Sequence, residues 1–375
     1  MTIIIFIIIL GLLVLVHELG HFLAAKKAGV RVEEFGFGYP PRALIIGRKW
    51  GTIFSLNWIP FGGFVKIFGE NYEEAESLKL KAKSENSPTS NPQPLSFVEI
   101  SKKWQALILV AGVTFNLLFA WLLFSLGFLI GLPTPVENDF GATVTDPVLT
   151  IIEVLPDSPA DLAGLKSGDK IQSIHTAKGE TRGVFDSAEI STLISQSEGE
   201  VQLMVLRGSK PLSFDIIPVE GLVDDKKAIG ISMDMVGTLT LPLHQAFYEG
   251  GKTTYRLTQL TVAGLADLLV DAIRGEADTA SVTGPIGIVG LVGDASRLGF
   301  TYLITFTALI SINLAIINLV PFPALDGGRL LFVAIEALTR RPINKNFAQV
   351  ANTTGFALLI GLMIFVTYRD IVKLF

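Results

Sequence analysis

Four stretches of this sequence are long, apolar and nearly uncharged, and they occupy residues 2–25, 104–132, 298–325 and 346–368. Glu18 is the only Asp, Glu, Lys or Arg within them. A helix needs about 20 predominantly apolar residues to cross a bilayer. Hydrocarbon offers no partners for backbone polar groups, so segments of this kind are expected to be helical. The sequence therefore predicts a multi-pass α-helical membrane protein with four transmembrane helices.

The composition also points to the bilayer as part of the solvent. Charged residues make up 17% of the 375 residues, whereas soluble proteins carry about 25%. A net charge of −5 gives no basic surface of the kind that binds nucleic acid. The chain has no cysteine, which excludes disulfides, thiolate metal sites and cysteine nucleophiles. Only four histidines are present as nitrogen ligands, namely His17, His21, His175 and His244.

Lysine and arginine in the connecting loops predict the orientation of the spans. The loop at 26–103 is rich in both residues. The loop between the third and fourth spans is also basic, with Arg329, Arg340, Arg341 and Lys345. Four spans place these two loops on the same side, which is expected to be the cytoplasm. Both termini and the segment at 133–297 then face outside.

The segments between the spans differ in composition. Residues 36–69 are apolar, β-branched and glycine-rich, which predicts β-hairpins that dip toward the membrane. Residues 71–95 are polar and predict a solvated linker. An amphipathic helix is expected at 243–273, lying along the interface. The predicted organisation is an N-terminal membrane part at 1–132, a soluble domain at 137–220, a strand-and-helix region at 221–297 and a C-terminal membrane part at 298–375.

The segment His17-Glu18-Leu19-Gly20-His21 lies inside the first apolar stretch. Two histidines four residues apart lie on one face of a helix, where both can bind the same zinc ion. The glutamate between them can take a proton from water. The alternatives are a chance match, or polar residues that only hold helices together. Ionisable groups inside a membrane are costly and usually functional, which favours a metal site.

Two histidines do not complete a catalytic zinc site, which usually has three protein ligands. His175 and His244 lie in the segment predicted to be external, so a carboxylate near the cytoplasmic end of another span is favoured. Asp326 fits, at the end of the third span in NLVPFPALDGGR. The prolines of this motif break the helix, and the freed backbone can line a cavity. The alternative is an ordinary helix-terminal aspartate.

Several other polar residues lie in or beside the predicted spans. Asn318, next to the broken helix, is a candidate for contact with the substrate backbone or an oxyanion, and Asn313 on the same span is a second candidate. Such amides can instead only bridge helices, the reading favoured for Asn116. Glu336 and Asp370 are expected to be solvated or interfacial charges.

These motifs together resemble the site-2 protease family, and in particular its bacterial RseP-type members. The resemblance covers most of the chain, in the family's order. It implies His17, His21 and Asp326 as ligands of one zinc ion, with Glu18 as general base. It also implies a bacterial cytoplasmic (inner) membrane location, and the loop charges predict an active site near the cytoplasmic side. The motifs that carry it are HELGH at 17–21, GFG at 36–38, PxGGFVKIFGE at 60–70, GVTFN at 112–116, GPIGI at 284–288 and NLVPFPALDGGR at 318–329.

The pattern SPAxxAGLKxGDxI at 158–171 resembles a PDZ domain. An extracytoplasmic α+β PDZ domain is therefore expected at 137–220, inserted between the second and third spans. Some members of the family carry two such domains, and this chain has room for one. The domain either binds peptides by strand addition, or excludes substrates with bulky external domains, or is only a packing module.

The resemblance implies an endopeptidase that acts in regulated intramembrane proteolysis. Its substrates would be single-pass membrane proteins already trimmed on their outer side, such as anti-sigma factors or remnant signal peptides. The partners are thus membrane proteins and the lipid bilayer, with no nucleic acid. Two other classes stay open, a metal-binding transporter or channel and an inactive scaffold that binds membrane peptides. Neither explains why Glu18 stands between the two histidines.

Overall fold

The computed structural model describes residues 1–70, 95–137, 140, 144–177, 179–182, 186–223, 226–276 and 283–372. The linker predicted at 71–95 lies outside the described residues, apart from Leu95. Two compact units are present. The first comprises Met1–Leu123, Lys252–Gly293 and Thr307–Phe375, and the second comprises Phe124–Gly251 and Asp294–Phe306.

The chain begins with a long apolar helix and a pair of long strands. Helix α1 covers Thr2–Lys27, strand β1 covers Val32–Lys49, strand β2 covers Thr52–Ile67, and helix α2 covers Lys102–Ile130. Helices α1 and α2 coincide with the first two predicted spans. Both are apolar on most faces, which is typical of helices that are surrounded by lipid or protein rather than by water.

The two strands form the hairpin structure predicted between the first two spans. Residues 34–37 of β1 pair with residues 63–66 of β2 on one side and with residues 53–56 on the other. The two strands therefore bend back on themselves into a small antiparallel sheet. Burial alone would raise the pKa of Glu34, but hydrogen bonds from Arg42 and Ser55 outweigh it and lower the pKa below its usual value.

The hairpin exposes large apolar side chains, including Ile46, Trp50 and Trp58, which are 66%, 67% and 72% exposed. An exposed apolar surface of this kind marks contact with a membrane or another protein. The insertion of the hairpin into the bilayer stays a prediction that this exposure supports.

The second unit contains an antiparallel sheet with two short helices. Its seven-stranded sheet has the order β3-β11-β4-β5-β7-β8, with β6 paired to β5, while β9 and β10 form a separate hairpin. The elements are β3 (Leu132–Pro135), β4 (Thr145–Val154), α3 (Pro159–Ala163), β5 (Lys170–Thr176), β6 (Gly179–Arg182), α4 (Ser187–Ser195), β7 (Val201–Arg207), β8 (Lys210–Ile216), β9 (Val219–Val223), β10 (Lys226–Ala228) and β11 (Ile231–Leu239).

The SPAxxAGLKxGD pattern specifies a local structure within this unit. The Ser158 hydroxyl accepts a hydrogen bond from the Asp161 N–H and caps α3, which is a usual role of serine at a helix start. Asp169 is fully buried and forms an ion pair of 2.7 Å with Arg207 on β7. The motif therefore fixes a helix start and a buried charge pair, while Ile151, Ile174 and Leu203 belong to the apolar core.

The remainder of the chain is helical. Its helices are α5 (Leu243–Arg274), α6 (Pro285–Leu298), α7 (Phe300–Leu319), α8 (Asp326–Thr339) and α9 (Lys345–Val372). Among the described residues, α1, α2, α7 and α9 are long and apolar enough to cross a membrane. Helix α6 was not predicted, because its several glycines have low helix propensity. Helix α7 ends at Leu319, six residues before the end of the third predicted span, where the proline-containing break begins.

The expectation that Glu336 and Asp370 are solvated or interfacial was wrong. Glu336 is 6% exposed and accepts hydrogen bonds from Lys102 Nζ at 2.5 Å and from the Ile343 N–H at 2.9 Å. Asp370 is 7% exposed. It accepts hydrogen bonds from two N–H groups at the start of α6, those of Gly284 at 3.1 Å and Gly287 at 2.8 Å. Both carboxylates have partners that are remote in sequence, so the local pattern could not indicate them.

Candidate metal centre

Helix α1 places two imidazoles on one face in the interior of the first unit. His17 and His21 are 6% and 7% exposed, and their Nε2 atoms lie 3.1 Å apart. The spacing of four residues produces this arrangement, because side chains at i and i+4 lie one above the other on a helix. Both rings therefore direct a nitrogen to the same point.

The broken segment after α7 brings Asp326 to that point. The N–H of Ala324, a residue with a left-handed φ of 75°, donates to Asn352 Oδ1 on α9. Asp326 then begins α8, whereas the sequence placed it at the end of the third span. At Gly327 and Gly328 a Cβ atom would lie 2.2 Å from a carbonyl oxygen of the break. The two glycines thus allow α8 to start directly against the end of α7.

The three side chains form a compact set of possible metal ligands. Asp326 Oδ2 lies 2.9 Å from His17 Nε2 and 3.2 Å from His21 Nε2. Ligands about 2.0–2.1 Å from a tetrahedral zinc ion are separated from each other by roughly 3.3 Å. The separations of 2.9–3.2 Å match this value closely. Two imidazoles and one carboxylate are also a donor set found in catalytic zinc sites.

A cavity of about 520 Å³ opens beside this cluster and contains Glu18. Asn318, Glu70 and Arg329 also line it, and the last two form an ion pair. The Glu18 carboxylate accepts a hydrogen bond from the backbone N–H of Val65 on β2. A carboxylate thus lies in a space large enough for a peptide segment and next to the three converging ligand atoms.

The two asparagines of α7 have different surroundings. Asn318 lines the cavity, whereas Asn313 is exposed and is not among the residues that line it. Residues five apart on a helix are rotated by about 140° from each other. The two amides therefore cannot both face the cavity from a regular helix.

Helix α2 contributes three positions that the sequence analysis did not assign to the site. The Ile108 carbonyl accepts a hydrogen bond of 2.8 Å from His21 Nδ1, and Asn116 Nδ2 lies 3.3 Å from His17 Nδ1. Between them, a Cβ on Gly112 would lie 2.4 Å from His21 Nε2. The spacing of four residues in this series matches that of the two histidines. The GVTFN motif contains Gly112 and Asn116, but only the packing of α2 against α1 shows that these residues lie at the metal centre.

The close approach at Gly112 predicts the effect of adding one methyl group. In Gly112→Ala the Cβ would meet His21 Nε2 at 2.4 Å and His17 Cε1 at 2.8 Å, so both rings must move. We expect zinc affinity to fall at least about tenfold, because groups that orient metal ligands typically contribute this much. Competition with a chelator measures the affinity, and mass spectrometry of the purified protein measures its zinc content.

The control is Gly361→Ala on α9, where an added Cβ meets no atom within 4 Å. This variant should keep its zinc. Full zinc occupancy in Gly112→Ala, with an affinity equal to that of the control, would contradict the arrangement of α1 and α2 described above.

Comparison with known proteins agrees with this geometry. The model of peptidase family M50 matches residues 5–362. The zinc metalloprotease RasP of Geobacillus kaustophilus is 30% identical over 440 residues, which cover 100% of this chain and 98% of that protein. A relative from Clostridium perfringens is named as a proposed zinc metalloprotease. It is 33% identical over 365 residues, which cover 96% of this chain and 95% of the relative.

Proposed function

Because this chain belongs to peptidase family M50, the site-2 proteases, we propose that it cuts single-pass membrane proteins within their membrane-spanning segments. The protein is a zinc metalloprotease by family. The observation that carries the assignment of its site is the convergence of His17, His21 and Asp326, with ligand atoms separated by 2.9–3.2 Å, beside the cavity that contains Glu18.

In this proposal His17, His21 and Asp326 hold the zinc ion. When bound, zinc polarises a scissile carbonyl and makes water acidic enough to be deprotonated near neutral pH. Glu18 accepts the proton of the attacking water on its carboxylate and later delivers it to the leaving amine. Asn318 lines the same cavity and is proposed to donate a hydrogen bond to the substrate backbone or to the oxyanion. The proposal does not extend to Asn313, which is exposed.

The substrate is proposed to bind as a strand along β2. A transmembrane helix satisfies its own amides, so it must unwind before hydrolysis. Among the described strands, residues 63–67 pair with β1 on one side only. The N–H of Val65 points to the other side, where it donates to Glu18. A substrate carbonyl that accepts from Val65 would extend the sheet and release Glu18 for proton transfer.

Substitution of Val65 by proline tests this binding mode. The change removes the N–H on the cavity side, and proline is tolerated at an edge strand where the N–H faces outward. One lost hydrogen bond corresponds to about 0.5–1.5 kcal/mol, so we expect KM for a membrane substrate to rise roughly two- to tenfold while zinc content stays unchanged.

The matched control is Ile46→Pro, on the exposed outer part of the hairpin. It should cleave with the wild-type KM. Unchanged cleavage by Val65→Pro would exclude substrate pairing at this strand.

The proposal also covers the orientation of the chain in the membrane and the role of the second unit. The basic loops support a cytoplasmic position for the metal centre in a bacterial inner membrane. The SPAxxAGLKxGD local structure supports a single PDZ domain on the outer side, which we propose restricts access to substrates whose external part has been removed. Anti-sigma factors and remnant signal peptides have this form.

Trapping tests the proposed function as a whole. Glu18→Gln is expressed in native membranes, isolated by an affinity tag, and its bound proteins are identified by mass spectrometry. We expect enrichment of single-pass proteins with short external parts, relative to a His17→Ala protein that lacks a complete metal site. If single-pass proteins were recovered only at the level of the control, or if only multi-pass or soluble proteins were enriched, the proposed substrate class would be wrong.

A further inference from the structure

Asn116 on α2 is completely buried beside the metal centre. Its exposed fraction is 0%, and its Nδ2 lies 3.3 Å from His17 Nδ1. The Ser311 hydroxyl donates to its backbone carbonyl at 2.8 Å. The other end of the amide, Oδ1, has no hydrogen-bond partner within the part of the chain that the structure describes. A buried amide with an unpaired polar end is costly, so an apolar side chain would pack here more favourably.

The neighbouring histidine indicates what the amide contributes. His21 Nδ1 donates to the Ile108 carbonyl at 2.8 Å. A carbonyl oxygen only accepts hydrogen bonds, so His21 carries a proton on Nδ1, which leaves Nε2 as the nitrogen that can bind metal beside Asp326. His17 needs the same tautomer to bind metal through Nε2, and its Nδ1–H then requires an acceptor.

We propose that Asn116 is a positioning residue whose Oδ1 accepts a hydrogen bond from His17 Nδ1–H and so presents Nε2 to the zinc ion. The two ends of the amide have nearly the same shape, and rotation about its last bond exchanges them. Only the oxygen suits the tautomer that binds metal. Partners of this kind orient ligating histidines and typically contribute 10–100-fold to metal affinity. This inference rests on the proposed metal site.

Two substitutions separate hydrogen bonding from packing. Asn116→Leu keeps the approximate shape and removes the acceptor, whereas Asn116→Asp keeps an acceptor at the same place. We expect zinc binding, measured by competition with a chelator on the purified full-length protein, to weaken about 10–100-fold in Asn116→Leu. Asn116→Asp should stay within about threefold of wild type on the same scale, since its acceptor is retained. The visible spectrum of the cobalt-substituted protein should change only in Asn116→Leu.

Ser311→Ala is the matched control, because it removes a contact to the backbone of Asn116 and leaves the amide in place. It should bind zinc as wild type does. Wild-type affinity in Asn116→Leu, or equal weakening in both Asn116 variants, would overturn the positioning role. His17→Ala distinguishes this outcome from failure of the metal site itself. If that variant also kept its zinc, the proposed site would be wrong, whereas its loss of zinc would confine the failure to Asn116.

Discussion

Glu18→Gln should abolish proteolysis while the protein keeps its zinc. Glutamine has nearly the same shape, and its side-chain oxygen can still accept from the Val65 N–H that now donates to Glu18. It cannot accept a proton from water. General-base catalysis contributes about 10²–10⁴-fold, so cleavage of a single-pass substrate should fall by at least 100-fold. Substrate cleavage in proteoliposomes and zinc content of the same preparation are the two measurements.

Glu33→Gln is the control, since it neutralises a carboxylate that pairs with Lys66 on the hairpin and does not line the cavity. It should cleave at the wild-type rate. The same experiment decides between hydrolysis and transport. A transporter would retain metal flux when Glu18 is replaced, and it would cleave no peptide. Undiminished cleavage by Glu18→Gln would remove Glu18 from its proposed role as the base.

Asp326→Ala should lose zinc, and cleavage should be lost with it. The substitution removes the one ligand that is not on α1, the carboxylate whose Oδ2 lies 2.9 Å and 3.2 Å from the two imidazoles. Loss of an orienting partner alone costs about 10–100-fold in metal affinity. Removal of a direct ligand should therefore weaken zinc binding by more than about 100-fold. Competition with a chelator measures the affinity, and added zinc should restore cleavage only partly.

Asp267→Ala, which changes an exposed aspartate of α5, is the matched control and should bind zinc normally. Wild-type zinc affinity in Asp326→Ala would show that another carboxylate completes the site. Glu18 is then a candidate, because it lines the same cavity as Asp326 and follows His17 directly. It would be a ligand rather than the base, and the mechanism would have to change.

The sequence predicted those features that have a local cause. Hydrocarbon length and the absence of charge predicted segments that coincide with α1, α2, α7 and α9, and the spacing of His17 and His21 predicted a shared helix face. Other features depend on how segments pack. Asp326 begins α8 because the glycines that follow it fit against the break, and this contact has no counterpart in local hydropathy.

The dependence on packing also explains why the sequence did not predict the roles of four other residues. Gly112 and Asn116 are ordinary residues of an apolar helix until α2 is placed against α1. Glu336 and Asp370 look like charges at helix ends, yet each is buried by a partner more than 80 residues away in sequence. Pairing of this kind satisfies a buried carboxylate, and it cannot be inferred from the neighbours of the residue along the chain.

X-ray absorption at the zinc edge tests the central claim most directly, because it needs only the purified wild-type protein. The account predicts one zinc ion with two imidazole ligands, further oxygen ligands, and distances of about 2.0–2.2 Å. The chain has four histidines, so a larger number of imidazoles is possible. A spectrum with three or four imidazoles, or with none, would contradict a site built from His17, His21 and Asp326.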